Sequence, residues 1–301
     1  MLETTSCPVC STILQSPYLN SSDFLLTREG FSLVKCNTCG VVYTNPRISA
    51  QTIGDYYASD YTSYAAIRDN KLKRHIKNLA KLIYRDAHRK VACLLQNNNV
   101  RTVLEVGPGS GGLIKYLHEH GFEVTGIELD GACVERIKSM GRACYHGTIE
   151  SVKDQLRTYD AVIMCQVLEH LYHPEASLKI IHSVLSDNGL LYLNVPNIAS
   201  YEARLFGKYW RGLDLPRHIT HFSPETLANL LNRSGYSVDK ICNMAFPSSF
   251  IESLAFLMTK KGRFPNMLYY PLYYFWKLLS PLHVALMGSG IVEVVARKRS
   301  S

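Results

Sequence analysis

A glycine-rich turn that directly follows an apolar strand is the feature that most limits how this chain can fold. The run from Val100 to Val106 predicts a buried strand, and Gly107-Pro-Gly-Ser-Gly-Gly112 follows it with no intervening loop. Glycines at such a turn let the backbone bend sharply and approach a ligand closely. A second predicted strand, 123–127, ends at Glu128, about 20 residues beyond the first glycine, the separation at which a carboxylate binds ribose hydroxyls. The pattern predicts a parallel α/β fold with a nucleotide-like ligand.

Further strands alternate with helices after this turn. They are predicted near 143–145, at 160–165 and at 189–195, and a last strand at 290–296. Alternation of strand and helix predicts a parallel sheet that binds its ligand at the carboxyl ends of the strands. Enzymes that bind NAD also carry a glycine-rich turn, so the turn alone does not identify the cofactor.

Two pairs of cysteines near the N-terminus predict a metal site. They are Cys7-Pro-Val-Cys10 and Cys36-Asn-Thr-Cys39. Two thiolates three positions apart can bind one metal from a tight turn, and two such turns complete a tetrahedral site with no open position. We therefore predict a structural zinc ion, and a head this short has too little core to fold well without it. The alternative is four unligated thiols.

The composition indicates which cellular compartment and which kinds of partner to expect. Nine cysteines are present, five of them isolated, which favours a reducing compartment over a disulfide framework. The N-terminus starts at Met1-Leu-Glu3 without the basic and apolar runs of a secretory signal, so we expect a cytoplasmic protein. The formal charge of +8 favours an anionic partner, such as a phosphate, a nucleic acid or a membrane surface.

Two other segments leave alternatives open. Residues 71–95 predict an amphipathic helix whose basic face, Lys71 to Lys90, is either a solvated face or a patch for phosphate or acidic lipid. Residues 266–287 are apolar and aromatic, and the breaks at Pro271 and Pro281 argue against a transmembrane span. One interpretation of this stretch is a packed helical hairpin that covers the core. The alternative is an interfacial helix, because Tyr and Trp suit a headgroup boundary.

Several motifs in order resemble the class I methyltransferases that use S-adenosylmethionine (SAM). They are Glu105-Val-Gly-Pro-Gly-Ser-Gly111, Gly126-Ile-Glu128, Gln166-Val-Leu-Glu-His170 and Asn188-Gly-Leu190. The resemblance implies a Rossmann-like doubly wound sheet, parallel with a final antiparallel strand, and SAM as methyl donor. It implies that the cofactor-binding residues are Glu105, Gly107, Gly109 and Gly111 for the amino acid part, Glu128 for the ribose, Thr148, Ile149 and Glu150 beside the adenine, Gln166 near the methionine portion, and Leu129 as a further contact.

The cysteine pairs and residues 205–224 resemble a narrower group. Sugar C-methyltransferases and methyltransferases of bacterial surface-glycan pathways carry a four-cysteine zinc head before such a core. The resemblance implies a saccharide acceptor, linked to a nucleotide or a lipid, with a quinone-like or other small molecule as the alternative. The chain is shorter than the sugar C-methyltransferases, which add a large C-terminal domain, so the methylated atom stays open. Nucleic acid is not expected as the acceptor, and peripheral membrane contact is left open.

A histidine is the expected base, because imidazole titrates near neutral pH and can take a proton from a poor nucleophile. The candidates by location are His170, His173, His218 and His221. In the sugar C-methyltransferases the corresponding segment reads His-x-x-Tyr-Phe-Ser, so by resemblance His218 aligns with the base and His221 replaces the tyrosine. Arg217 and Tyr209 would shape the acceptor pocket. The alternative is that both histidines only brace the loop.

The chain is thus predicted to have four segments. They are a zinc-binding head at 1–45, a connecting helical region at 46–98, a SAM-binding core at 99–245, and an aromatic helical stretch with the last core strand at 246–301. The competing functions are a nicotinamide-dependent oxidoreductase and a non-catalytic SAM-binding module whose zinc head recruits a partner. The full ordered set of cofactor segments favours a SAM-dependent methyltransferase.

Overall fold

The computed structural model of the chain describes residues 1–57, 87–259 and 264–299. Its strands are β1 Leu2–Glu3, β2 Gln15–Ser22, β3 Gly30–Cys36, β4 Val42–Thr44, β5 Arg47–Ile48, β6 Thr102–Val106, β7 Glu123–Glu128, β8 Ala143–His146, β9 Tyr159–Cys165, β10 Leu185–Pro196, β11 Thr220–His221, β12 Tyr236–Met244 and β13 Ile291–Lys298. Its helices are α1 at 87–97, α2 Gly112–Glu119, α3 Gly131–Ser139, α4 Ile149–Val152, α5 Pro174–Val184, α6 Tyr201–Phe206, α7 Pro224–Arg233, α8 Pro247–Thr259 and α9 Asn266–Met287.

A seven-stranded sheet contains the predicted core strands, in the order β12-β13-β10-β9-β6-β7-β8. Strand β6 pairs in parallel with β7 on one side and with β9 on the other. The sheet is mainly parallel with one antiparallel strand, so the predicted Rossmann-like α/β fold is confirmed. The chain order reverses at β6, and sheets of this kind bind ligands beyond the carboxyl ends of the strands at such a reversal.

One core strand and the helix before the core differ in extent from their predictions. Strand β10 begins before the predicted turn at Asn188-Gly189, but Asn188 keeps the positive φ of a turn, 61°. The helix predicted over 71–95 lies partly outside the described residues, and the part that is described, 87–97, is helical. The basic positions from Lys71 to Arg85 also lie outside the described residues.

The cysteine-bearing head forms a second, four-stranded sheet in the order β11-β4-β3-β2. Strands β2 and β3 form an antiparallel hairpin. Strand β4 pairs antiparallel with β11, with Thr220 opposite Tyr43 and His221 opposite Val42. Because β11 belongs to the segment that carries both candidate histidines, the head and that segment share one sheet.

Apolar packing also joins the head to residues 198–215. Alternation along β3 turns Phe31 and Leu33 to one side, where they belong to a buried cluster with Phe206, Trp210 and Leu213. Burial of each large apolar side chain contributes about 1.5–3 kcal/mol to stability. The head therefore has more apolar packing than its own 45 residues provide.

The chain divides into two compact units. One comprises Met1–Ala58, Gln166–Lys179 and Leu193–Arg297, and the other comprises Ser59–Cys165, Ile180–Tyr192 and Lys298–Ser301. The first unit contains the cysteine pairs and both candidate histidines, and the second contains the glycine turn. The division into four consecutive segments stays a prediction.

The aromatic C-terminal stretch is one helix of 22 residues, α9, which continues through Pro271 and Pro281. The prediction of a helical hairpin within 266–287 is therefore wrong, because a single helix occupies this stretch. Each proline lacks an N–H and removes one helical hydrogen bond, but packing against α8 supports the helix, with the rings of Phe250 and Trp276 stacked at 3.7 Å. Within the three described stretches, no helix is both long enough and apolar enough to cross a membrane.

Candidate active site

The end of β6 places a buried carboxylate beside the glycine turn. Glu105 is 4% exposed, and its Oε2 atom has no hydrogen-bond partner within the described residues. Burial, and after it the charge of Glu128, raise the pKa of Glu105 to about 8. An orphaned buried carboxylate oxygen costs free energy until a donor or cation reaches it. Glu105 therefore fits the ammonium group of SAM, while its part in binding the amino acid portion stays a prediction.

The glycine turn has the backbone that its composition predicted. Gly107, Gly109 and Gly111 have φ values of 69°, 53° and 75°, in the left-handed region that glycine adopts without steric cost. At Gly111 a Cβ atom would also lie 2.8 Å from Cγ1 of Ile137. Any side chain there would push α3 away from the turn.

Glu128, at the end of β7, is held against this turn. Its Oε2 accepts a hydrogen bond from the backbone N–H of Gly109 at 2.8 Å, and its Oε1 accepts one from Asp130 at 2.9 Å. Each carboxylate oxygen keeps a second lone pair, so Glu128 can still accept the ribose hydroxyls. Leu129, which follows it, is exposed.

The loop after β8 lies beside the end of β7. The backbone N–H of Gly147 donates to the carbonyl of Glu128 at 2.9 Å. Thr148 caps the short helix α4, Ile149 is buried in the core and Glu150 is exposed. The structure thus brings 148–150 to the same sheet edge as Glu128, while the contact of these residues with adenine stays a prediction.

Gln166 follows β9 in a strained conformation. Its φ is 55°, which costs a non-glycine residue about 1–2 kcal/mol. Two hydrogen bonds to Asn194 hold it there, one from its backbone N–H to the carbonyl at 3.0 Å and one from Nε2 to Oδ1 at 2.9 Å. Sequence reasoning missed Asn194, although a polar residue inside the apolar run of β10 was a usable signal.

Buried polar groups form a second cluster, made by the turn Leu168–His170 and residues 214–221. Two backbone contacts join these segments: Ile219 N–H donates to the carbonyl of Glu169 at 2.8 Å, and Nδ1 of His170 lies 2.9 Å from the carbonyl of Arg217. Sequence reasoning quoted Glu169 within a motif but gave it no role.

Both candidate histidines lie in this cluster and are buried. His218 is 5% exposed, and its Nδ1 lies 2.9 Å from the carbonyl of Gly212. A carbonyl only accepts, so Nδ1 carries the proton and Nε2 carries the lone pair. Burial holds the pKa of His218 well below its usual value and lowers the pKa of His221 to about 3. Both rings are therefore neutral at pH 7.

Arg217 belongs to a buried ion network, not to an open pocket. Its Nη2 lies 2.9 Å from Oδ1 of Asp23 and 2.8 Å from Oδ1 of Asp214, and the side chain is 1% exposed. Its Nη1 donates to the carbonyl of Tyr56 at 2.9 Å. The part predicted for Arg217 in shaping an acceptor pocket stays a prediction. Tyr209, the other such residue, has its ring 5.2 Å from that of Phe24.

The four cysteines of the head lie together. Sγ of Cys7 is 3.6 Å from Sγ of Cys39, and Sγ of Cys10 is 3.5 Å from Sγ of Cys36. All four sulfur atoms lie within 4.8 Å of one another. Zinc–sulfur bonds of about 2.3 Å in a tetrahedron separate the sulfurs by about 3.8 Å. The hydrogen bond between Cys7 and Cys39 lowers the pKa of Cys39 and raises that of Cys7.

The Rossmann-like sheet, with its glycine turn between two buried carboxylates, defines a class I SAM-dependent methyltransferase. The chain belongs to the methyltransferase domain family, which matches residues 70–241, more than half of its 301 residues. The chain thus carries a methyltransferase domain, as predicted.

Curated relatives match part of the chain at low identity. The ubiquinone biosynthesis O-methyltransferase of Xanthomonas axonopodis pv. citri is 28% identical over 157 residues, which cover 48% of this chain and 66% of that protein. The mitochondrial enzyme of the same name from Bos taurus is 29% identical over 166 residues, covering 48% and 43%. The matches span less than two thirds of either relative.

A solved structure from Galdieria sulphuraria has a similar fold. That protein, provisionally assigned as a sarcosine dimethylglycine methyltransferase, aligns with a TM-score of 0.50 and 12% identity over 71% of this chain and 86% of its own. At this identity the similarity concerns the fold alone.

Proposed function

We propose that this enzyme methylates a hydroxyl group of a saccharide that is linked to a nucleotide or a lipid. The observation that carries the proposal is the pairing of β4 with β11. The glycan-pathway resemblance rests on two distant parts of the chain, the cysteine pairs and residues 205–224, and this pairing makes them neighbours in one sheet. A hydroxyl acceptor is also supported by the relatives, which are named as O-methyltransferases.

Different residues bind different parts of SAM in this proposal. Glu105 binds the ammonium group, Glu128 accepts from the ribose hydroxyls, and the turn between them lets the backbone come close to the ligand. SAM supplies a methyl group on a positively charged sulfonium, so the donor needs no further activation. What remains for the protein is to orient the acceptor and remove its proton.

His218 is the proposed base because one of its ring nitrogens has an available lone pair. Because Nδ1 faces a carbonyl, Nε2 is the atom that can take a proton. His221 lies beside it, with ring centroids 6.4 Å apart. Because His218 is buried, the acceptor hydroxyl must enter the cluster to reach Nε2, or a bridging group must carry the proton from the hydroxyl to Nε2.

We also propose that Cys7, Cys10, Cys36 and Cys39 bind one structural zinc ion. The sulfur separations agree with a tetrahedral four-thiolate site. Such a site has no position free for a substrate, so the metal orders the two cysteine turns and the strands between them. It takes no part in methyl transfer.

A quinone-like phenol is the second candidate acceptor, favoured by the names of the curated relatives. The deciding experiment incubates the enzyme with SAM labelled in its methyl group and with cell extracts fractionated into nucleotide sugars, lipid-linked sugars and quinone precursors. Label in a sugar fraction supports the proposal. Label in the quinone fraction alone replaces it with the second candidate, and label in no fraction contradicts both.

We further propose that α9 contacts the membrane surface, where a lipid-linked acceptor would lie. An exposed apolar stripe runs along this helix at three- and four-residue spacing: Phe275, Leu278, Leu282 and Leu286. Such a face suits the interface of a bilayer. Co-sedimentation with anionic liposomes at low salt tests this proposal. Loss of binding in Leu278→Ser, with binding retained in the head variant Leu14→Ser, is expected; failure of the wild type to sediment contradicts it.

A further inference from the structure

We propose that Glu169, His170 and His218 bind a divalent metal ion, at a site distinct from the four cysteines. Each residue offers one ligand atom, and the three atoms lie within 4.8 Å of one another. The turn Leu168–His170 presents two of them and the segment after Asp214 presents the third. This binding goes beyond the proposed function and requires neither SAM nor an acceptor.

Both imidazoles are oriented as metal ligands are. Nδ1 of His170 lies 2.9 Å from the carbonyl of Arg217, and Nδ1 of His218 lies 2.9 Å from the carbonyl of Gly212. Metal-binding histidines usually donate one ring N–H to a carbonyl or carboxylate, which fixes the tautomer and leaves the other nitrogen for the metal. The two backbone carbonyls therefore leave Nε2 of each ring as the ligand atom.

Glu169 supplies an independent indication of a missing partner. It is 1% exposed, and within the described residues neither carboxylate oxygen has a hydrogen-bond partner. Burial of an unpaired carboxylate is costly, and protonation would still leave an unbonded O–H inside the protein. The nearby Arg217 is held by Asp23 and Asp214. A cation bonded to Glu169 removes this cost.

The spacing suits two ligands of one ion better than a hydrogen bond. Nε2 of His218 is 4.0 Å from Oε1 of Glu169. A charge-assisted hydrogen bond would bring them to about 2.8 Å. Two ligands on one ion, each with a bond of about 2.1 Å, lie roughly 3.0–4.2 Å apart, depending on the bond angle. Oδ2 of Asp214 lies 3.7 Å from the same nitrogen and adds negative charge.

The donor set indicates the class of metal. Two imidazoles and one carboxylate suit Fe²⁺, Mn²⁺ or another divalent ion of the first transition row, and such sites keep positions open for further oxygen ligands. The thiolates of the head prefer softer ions. An ion bound here uses the Nε2 lone pair of His218, so His218 would then be a ligand and not the base. If the proposed function holds, the metal would instead lower the pKa of an acceptor hydroxyl bound at an open position.

Mn²⁺ is the probe that separates this site from the cysteines, because it favours oxygen and nitrogen ligands over thiolate. Free Mn²⁺ is measured by its electron paramagnetic resonance signal during titration of the full chain, with zinc retained in the head. One Mn²⁺ per chain is expected in the wild type. Glu169→Gln and His170→Gln should each weaken binding at least about tenfold. His173→Gln, at an exposed position three residues further on, should bind as the wild type does.

Three results would overturn the proposal. They are no binding by the wild type up to about 1 mM Mn²⁺, wild-type affinity in both ligand variants, or equal weakening in His173→Gln. Circular dichroism and SAM affinity, measured on the same samples, show whether a variant is folded. Because Mn²⁺ binding is read without turnover, a failure here leaves the methyl-transfer proposal intact, and an inactive enzyme leaves the metal result intact.

Discussion

Arg217 and Asp23, 194 positions apart in the chain, form an ion pair of 2.9 Å in which both side chains are buried. Burial opposes ionisation of Asp23, but the hydrogen bond and charge of Arg217 outweigh it and keep its pKa low. Removing one partner leaves an unpaired buried charge, so we expect Arg217→Ala to lower the free energy of unfolding by about 3–5 kcal/mol in urea denaturation.

Arg233→Ala is the matched control. Arg233 also pairs with a carboxylate, that of Glu175, at 3.0 Å, but about half of its side chain is exposed. An exposed ion pair contributes about 0.2–1 kcal/mol. If both variants lower the free energy of unfolding equally, the buried ion pair does not hold the head against residues 214–221.

The cysteine site predicts a selective loss of zinc. Cys36→Ser should release the metal, measured as zinc per chain by elemental analysis, because a hydroxyl is a poor replacement for a thiolate. Cys93→Ser changes an exposed cysteine outside the cluster and should retain the metal. Carefully purified wild-type protein without zinc would contradict the assignment.

Glu128 offers a test of the cofactor site. Hydrogen bonds to a charged group are worth about 1.5–3 kcal/mol, so Glu128→Ala should weaken SAM binding about tenfold or more in calorimetry. Glu123→Ala, at the opposite end of the same strand, removes an exposed ion pair with Arg157 and should leave the affinity unchanged. An unaltered dissociation constant in Glu128→Ala would remove this residue from the site.

Binding of SAM should release a proton below pH 8. The pKa of Glu105 is raised to about 8, so the free enzyme holds this carboxyl protonated at pH 7, and an ammonium group beside it favours ionisation. SAM affinity should therefore rise with pH between about 6 and 8, by at most tenfold per unit. Calorimetry in two buffers of different ionisation enthalpy measures the proton released. Glu105→Gln should abolish the release, and a wild type that releases none contradicts the assignment.

His218→Ala should reduce turnover about a hundredfold or more while SAM affinity is kept. The loss is expected whether Nε2 takes the acceptor proton or binds a metal. His170→Gln separates the two, because it should reduce turnover similarly only if the two rings hold a common ion. Near wild-type turnover in His218→Ala would remove this residue from catalysis.

Most of the fold could be predicted from local patterns in the sequence. The glycine turn, the apolar strands and the paired cysteines are each encoded within a few neighbouring residues, and the structure has them close to where they were predicted. The start of α7 is equally local, because the side chain of Ser223 accepts a hydrogen bond from the N–H of Thr226 three positions later.

The rest depends on contacts between residues far apart in the chain. Strand β11 has only two residues, too few to show a period, and its partner β4 lies about 175 positions earlier. Asp23 reads as an ordinary turn residue, and nothing beside it in the sequence indicates Arg217. The continuation of α9 through two prolines likewise depends on packing with α8, which helix propensity does not include.

The pairing of β4 with β11 also bears on how the chain is made. Strand β4 is synthesised early, but the strand that covers its edge is completed only at residue 221. At about 5–20 residues per second, the ribosome needs roughly 10–35 seconds for the chain in between. During that interval β4 is an open edge that can pair with other chains. Binding of metal by the thiols at this stage can shape the hairpin, but only the arrival of Thr220 and His221 closes the sheet.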